Sequence, residues 1–157
     1  MNLQKRVISA ALLTCSLFAC ALSQATEPAR NLAQEDANRT LVLNFYEQFF
    51  NQHQTAEASE VMVDNYRQHN PHVPDGKAPM VGYFTEYFKN NPQAQAKVIR
   101  SAADGDLVYL HVHSTSSPED RGVAIMDIFR VENGRIVEHW DVIQPVPETA
   151  ANTNSMF

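Results

Sequence analysis

Asp127-Ile128-Phe129-Arg130-Val131-Glu132-Asn133-Gly134-Arg135-Ile136-Val137-Glu138-His139-Trp140-Asp141 holds two runs of β-branched and aromatic residues around an Asn-Gly pair. That pattern predicts an antiparallel hairpin. The turn decides which side chains share a face. In a two-residue turn Glu132 opposes Arg135, Asp127 lies opposite Trp140, and Asp141 points through the other face with Met126 and His139. In a three-residue loop with a glycine bulge Val131 opposes Arg135 and Asp127 lies opposite His139. Asp141 then pairs with Ile125, and all four share one face. Met126, Ile128, Ile136 and Trp140 take the other. Asn-Gly alone favours the first geometry. The second is preferred, because splitting the two acids would bury at least one without a partner, at ~2 kcal/mol or more.

Upstream, Lys97 to Ala103, Leu107 to Ser114 and Val123 to Val131 also read as strands, and Arg135 to Gln144 is the last of the run. Asp104-Gly105 and Ser116-Ser117-Pro118 mark turns between them. Before the strands the period changes. Leu41, Val42, Phe45, Tyr46, Phe49 and Phe50 recur at helical spacing between Asn38 and Asn51, and are read as core. A shorter helix fits Thr55 to Val63, and a third fits Pro79 to Lys89 with Met80, Phe84, Tyr87 and Phe88 on one side. Tyr66 to His69 reads as extended, with Asn70-Pro71 breaking it. Three helices followed by antiparallel strands make an α+β domain. Helices over the concave side of a curved sheet would leave a cavity, the usual place for a ligand.

The hairpin, the segment Tyr66-Arg67-Gln68-His69-Asn70-Pro71 and the tail Asn152 to Phe157 resemble SnoaL-like proteins of the nuclear-transport-factor-2-like superfamily. The resemblance implies a cone-shaped fold over residues 38–146, with three N-terminal helices packed on a curved antiparallel sheet. It also implies a cavity for a small organic molecule. Cyclases, isomerases, epoxide hydrolases and non-enzymatic binders share that fold, so function has to be argued from the site. The polyketide cyclases among them close a ring by aldol chemistry, with an aspartate near the end of the sheet as general acid/base. Asp141 stands at that position, and Asp127 stands where these proteins carry a cavity histidine.

Proton transfer next to a carbonyl is therefore the favoured chemistry. An apolar cavity disfavours the charged form of a carboxyl group, which suits a general base. Asp141 is the expected base, His139 or His69 its partner, and Asp127 a second acid or an orienting group. Tyr66 is the expected donor to a substrate oxygen. His111 and His113 share one face of their strand with Tyr109, and are read either as solvent-facing or as cavity-lining beside the acids. Phe129 and Trp140 complete the expected substrate contacts, with Trp140 also read as core. Epoxide hydrolysis is an alternative that needs an arginine between two acids, from Arg100 or Arg130. An isolated His111-x-His113 is weak evidence for a metal, and neither a metal nor another cofactor is expected. A non-catalytic ligand binder is the other alternative, with the open sheet face serving a homodimer.

Composition bounds these readings. At 157 residues one domain is expected, and 44% apolar residues suffice for a core. A net charge of −6 argues against nucleic acid as a partner. Lys5 and Arg6 precede the uncharged run Val7 to Leu22, and Ser23-Gln24-Ala25 reads as a cleavage site. Residues 1–25 are thus expected to be a signal peptide, and the protein periplasmic or secreted. Leu17-Phe18-Ala19-Cys20 resembles a lipobox, which makes a lipid anchor through Cys20 the alternative. Cys15 and Cys20 both fall in this segment, so a disulfide scaffold and a thiol nucleophile are excluded from the mature domain. Residues 26–37 read as a linker or helix start, and 147–157 as a tail.

Overall fold

The computed structural model describes residues 29–157. The expected export segment and both cysteines lie outside the described residues. Helix α1 spans Leu32–Tyr46 and begins ahead of the apolar stripe that announces it. The Asn31 side chain accepts the Gln34 N–H at 3.2 Å and caps its first turn. Glu35 and Asn38 are buried there because both reach the turn at Gly105, whose N–H and carbonyl they bind. The helix ends in a π turn, Glu47–Asn51. The Asn51 side chain accepts the Ala96 N–H at 2.8 Å, pinning that turn to the sheet.

Helix α2, Thr55–Ala58, and a 3-10 turn, Ser59–Val61, precede strand β1, Met62–Gln68. The expected helix to Val63 therefore stops short. Met62 is fully buried and pairs with Ile136, and Arg135 donates to its carbonyl at 2.7 Å. Tertiary pairing overrides local helical preference at this point. Helix α3 spans Lys77–Asn90 and includes Pro79 in its first turn, where a missing N–H costs nothing.

Strands β2 (Gln95–Asp104), β3 (Leu107–Thr115), β4 (Val123–Glu132) and β5 (Arg135–Pro145) complete one five-stranded sheet in the order β1-β5-β4-β3-β2. All neighbours are antiparallel except β1, which runs parallel to β5. The extended segment after α2 is thus a full edge strand, and the sheet is mixed rather than wholly antiparallel. A 14-residue helix, α3, carries the chain from β1 to the opposite edge.

The hairpin departs from both geometries expected of it. Asn133 and Gly134 have φ of 51° and 71°, the left-handed pair of a two-residue turn, and Glu132 opposes Arg135. The glycine-bulged loop is therefore absent. The extra residue sits further on, because Val131 pairs with Ile136 while Arg130 pairs with Glu138. Val137 is left over, and this bulge reverses the facing of everything after it. Ile136 and His139 both point inward, three residues apart, as their burial shows. Asp127 consequently pairs with Asp141, and Phe129 with His139.

Helices cover the concave side of the sheet, where Val42, Phe45 and Phe49 meet Val108, Leu110, Val112, Phe129 and Ile136. Phe45 and Phe129 meet edge to face with centroids 6.0 Å apart.

Candidate functional site

The concave core opens into a cavity of about 340 Å³ between α1, α3, the loop after β1, and strands β4 and β5. Phe50, Met80, Tyr83, Phe84, Ile125, Phe129 and Ile143 make most of its wall apolar. Its polar patch is set by strand alternation. Val131, Phe129, Asp127 and Ile125 alternate inward on β4, and His139, Asp141 and Ile143 do so on β5 beyond the bulge.

Asp127 and His139 are 4% and 7% exposed, so their partners decide their state. His139 Nε2 lies 2.9 Å from Asp127 Oδ1, and the Tyr46 hydroxyl donates to Asp127 Oδ2 at 2.7 Å. His139 Nδ1 lies 2.9 Å from Gln68 Oε1. The backbone N–H of Asn70, which can only donate, also points at Gln68 Oε1, at 2.9 Å. The Gln68 amide is thereby oriented as an acceptor, and Nδ1 carries a proton. One further proton is left between Nε2 and the Asp127 carboxyl. The Asn70 side-chain amide donates to both oxygens of Asp141, at 3.0 and 2.7 Å, and its own Oδ1 accepts the His72 N–H.

Burial first, and the Asp127 charge second, hold the Tyr46 hydroxyl well above the usual tyrosine range. Tyr46 is a permanent donor in consequence. Burial raises Tyr66 in the same way, with Asp127 and Asp141 adding to it. Among the described residues no lysine or arginine lines the cavity.

Asp127, His139, Asp141 and Phe129 are thus brought together. The other expected site residues are placed elsewhere. Tyr66 is buried behind His139, its ring stacked at 6.5 Å and its hydroxyl 3.4 Å from Gln68 Nε2, and does not line the cavity. His69 leaves the site because it follows the end of β1. Its Nε2 meets Glu138 Oε1 at 2.8 Å, and its ring stacks on Trp140 at 4.7 Å. Trp140 faces away from the cavity on the convex side, under Arg130. His111 and His113 also take the convex side, because Val108, Leu110 and Val112 fill the concave one. His111 contacts Arg100, and His113 stacks on Phe157 with centroids 4.2 Å apart. Arg130 binds Asp106 and Glu138, so neither arginine stands between the two cavity acids.

Tyr46, Gln68 and Asn70 were not expected in the site. Tyr46 sits in an aromatic stripe whose positions all read as core. The one signal was a hydroxyl among phenylalanines, since a buried Tyr O–H requires a partner. Gln68 and Asn70 flank the end of a strand, and no spacing rule ties them to residues some seventy positions on.

Three solved structures illustrate the likeness. A candidate ketosteroid isomerase from Kribbella flavida DSM 17836 is 19% identical, with a TM-score of 0.63 over 76% of this chain and 86% of that one. A candidate polyketide cyclase from Bacillus cereus ATCC 10987 is 18% identical, with a TM-score of 0.60 over 74% and 80%. An NTF2-like protein of unknown function from Cytophaga hutchinsonii ATCC 33406 is 17% identical, with a TM-score of 0.59 over 69% and 90%. At such identities the likeness is one of fold. No curated protein matches the chain. The SnoaL-like domain model matches residues 42–139, most of the described structure, and the chain therefore belongs to the SnoaL-like family of the NTF2-like fold.

Proposed function

We propose that the cavity binds a neutral small organic molecule and moves a proton at a carbon next to its carbonyl, in an aldol-type cyclisation or an isomerisation. The observation that carries this reading is the convergence of Asp127, His139 and Asp141 on one wall of a mostly apolar cavity. Asp141 is the base. Asn70 orients its carboxylate while the cavity side stays open to a C–H bond. The proton passes to Asp141 and the electron pair moves into the carbonyl, giving an enolate. The proton shared by Asp127 and His139 then turns from their mutual hydrogen bond toward the enolate oxygen and stabilises it, with Tyr46 holding Asp127 in position. With two carboxylates in the wall and no lysine or arginine there among the described residues, an uncharged substrate is favoured over a phosphate or carboxylate. A candidate ketosteroid isomerase and a candidate polyketide cyclase among its structural neighbours support this reading.

Asp141→Asn tests the proposal, because the amide keeps the shape and loses the base. Exchange of the carbon-bound hydrogen of a panel of cyclic and acyclic ketones into deuterated water should fall about 10²- to 10⁴-fold. Unchanged exchange would remove Asp141 from the role. Ketone binding with no exchange in either form would support a non-catalytic binder.

A further inference from the structure

We propose that Asp127, His139 and Asp141 hold one divalent transition-metal ion in place of the proton between His139 Nε2 and Asp127, which metal binding releases. Among the described residues these three each offer a ligand atom within 4.8 Å of the others. His139 Nε2 and Asp127 Oδ1 are 2.9 Å apart. Adjacent ligands on an ion with bonds of about 2.1 Å are separated by about 3.0–3.4 Å, octahedral to tetrahedral, so this pair needs to open by at most about 0.5 Å, and Asp141 closes in by a side-chain rotation.

Groups outside the triad support each ligand. Gln68 Oε1 takes the Nδ1 proton of His139, which turns Nε2 toward the carboxylates. Metal-bound histidines are oriented by that kind of contact. Tyr46 holds the far oxygen of Asp127, and Asn70 holds Asp141.

Charge provides a separate argument. Two carboxylates face each other across paired strands with the buried imidazole of His139 against them; the wall's other imidazole, His72, is exposed, and among the described residues no lysine or arginine lines it. At most one buried positive side chain opposes two negative ones in a poorly solvated place. Such an imbalance is costly unless a cation or a proton offsets it. One imidazole with two carboxylates suits Zn²⁺, Fe²⁺, Co²⁺ or Mn²⁺ better than Mg²⁺ or Ca²⁺, which prefer all-oxygen sets. Three protein ligands on one wall leave the cavity side open for water or a carbonyl oxygen. The site is argued from ligand geometry and charge, and stands whether or not the cavity turns over a ketone.

The test uses metal alone. The purified chain, stripped with a chelator, is titrated with ZnCl₂ and CoCl₂ by calorimetry. One equivalent should bind, and the affinity should fall at least ~10-fold in Asp141→Asn and in His139→Asn. A His111→Asn/His113→Asn double variant should bind as the parent does. If His139→Asn does not fold, Co²⁺ bound to the parent should still shift and broaden the ring resonances of His139 while sparing those of His113. No binding by the parent overturns the proposal. So does loss of binding in the His111/His113 variant with retention in Asp141→Asn.

Discussion

Tyr46 sits within an apolar helical stripe, yet its hydroxyl is what keeps a buried carboxylate oxygen satisfied. Tyr46→Phe leaves the packing intact and orphans Asp127 Oδ2. Stability measured by urea denaturation should fall by about 1–3 kcal/mol, the usual cost of a buried acceptor that loses its donor. Glu138 is the second informative residue. Hydrogen bonding from His69 first, with Arg130 and Arg67 adding to it, holds its pKa below the ordinary 4.5 despite opposing desolvation. A folded-state value below the unfolded one stabilises the protein above pH 4.5, and that stabilisation is lost as pH falls through the folded value. Glu138→Gln should therefore cost on the order of 1 kcal/mol at neutral pH. The difference from the parent should shrink as pH falls below 4.5 and through the folded value, as Glu138 takes up its proton. A difference that persists in acid would mean that packing, not charge, holds the network. Asp127, His139 and Asp141 were legible as a group because splitting two acids across the sheet would bury one without a partner, whereas strict alternation through the observed turn would have separated them. Gln68 and Asn70 were not, since their roles arise only where β1 lies beside β5.

Elements were legible where a period repeats and less so where one residue breaks it. The helices and the four later strands follow from apolar spacing and from Asn, Gly and Pro, although β1 intervenes between α2 and α3. The facing of the hairpin needed more. Its outcome, three ionisable groups on one side, agrees with the expectation, but the bulge that produces it is at Val137 rather than at the turn. Nothing in Arg135-Ile136-Val137-Glu138 distinguishes a bulged strand from a regular one. The parallel pairing of β1 was equally hidden, because it depends on where α3 delivers the chain. Gly122, just before β4, gives the test at this scale. Its φ is 71°, and a Cβ there would lie 2.0 Å from the Ser114 carbonyl oxygen. Neither atom can yield without shifting the β3–β4 ladder, which pairs Ser114 with Val123. Gly122→Ala should cost about 3 kcal/mol through strain and displaced backbone. Thermal melting of the variant checks this, and an unchanged midpoint would show that the segment moves freely.

Across the whole molecule the two faces of the sheet do different work. The concave face carries the core and the ionisable cluster. The convex face carries His69, Trp140, Arg130, Glu138, His111 and His113, and the tail after β5 folds back over part of it. Phe157 ends against His113 and His111, with ring centroids 4.2 and 5.6 Å away. The histidines that read as possible cavity ligands thus anchor the tail instead. Only the sheet's overall facing decides between those outcomes, which is why spacing alone left both open. Such a stack contributes about 0.5–1.5 kcal/mol, so Phe157→Ala should destabilise by that amount and His113→Ala by a similar one. The double variant should cost less than the sum, because each removes the same contact. Ketone exchange should be unaffected in all three, since the sheet separates the tail from Asp141. Additive losses in the cycle would show that the two rings do not interact in solution, and a loss of exchange would show that the convex face reaches the cavity after all.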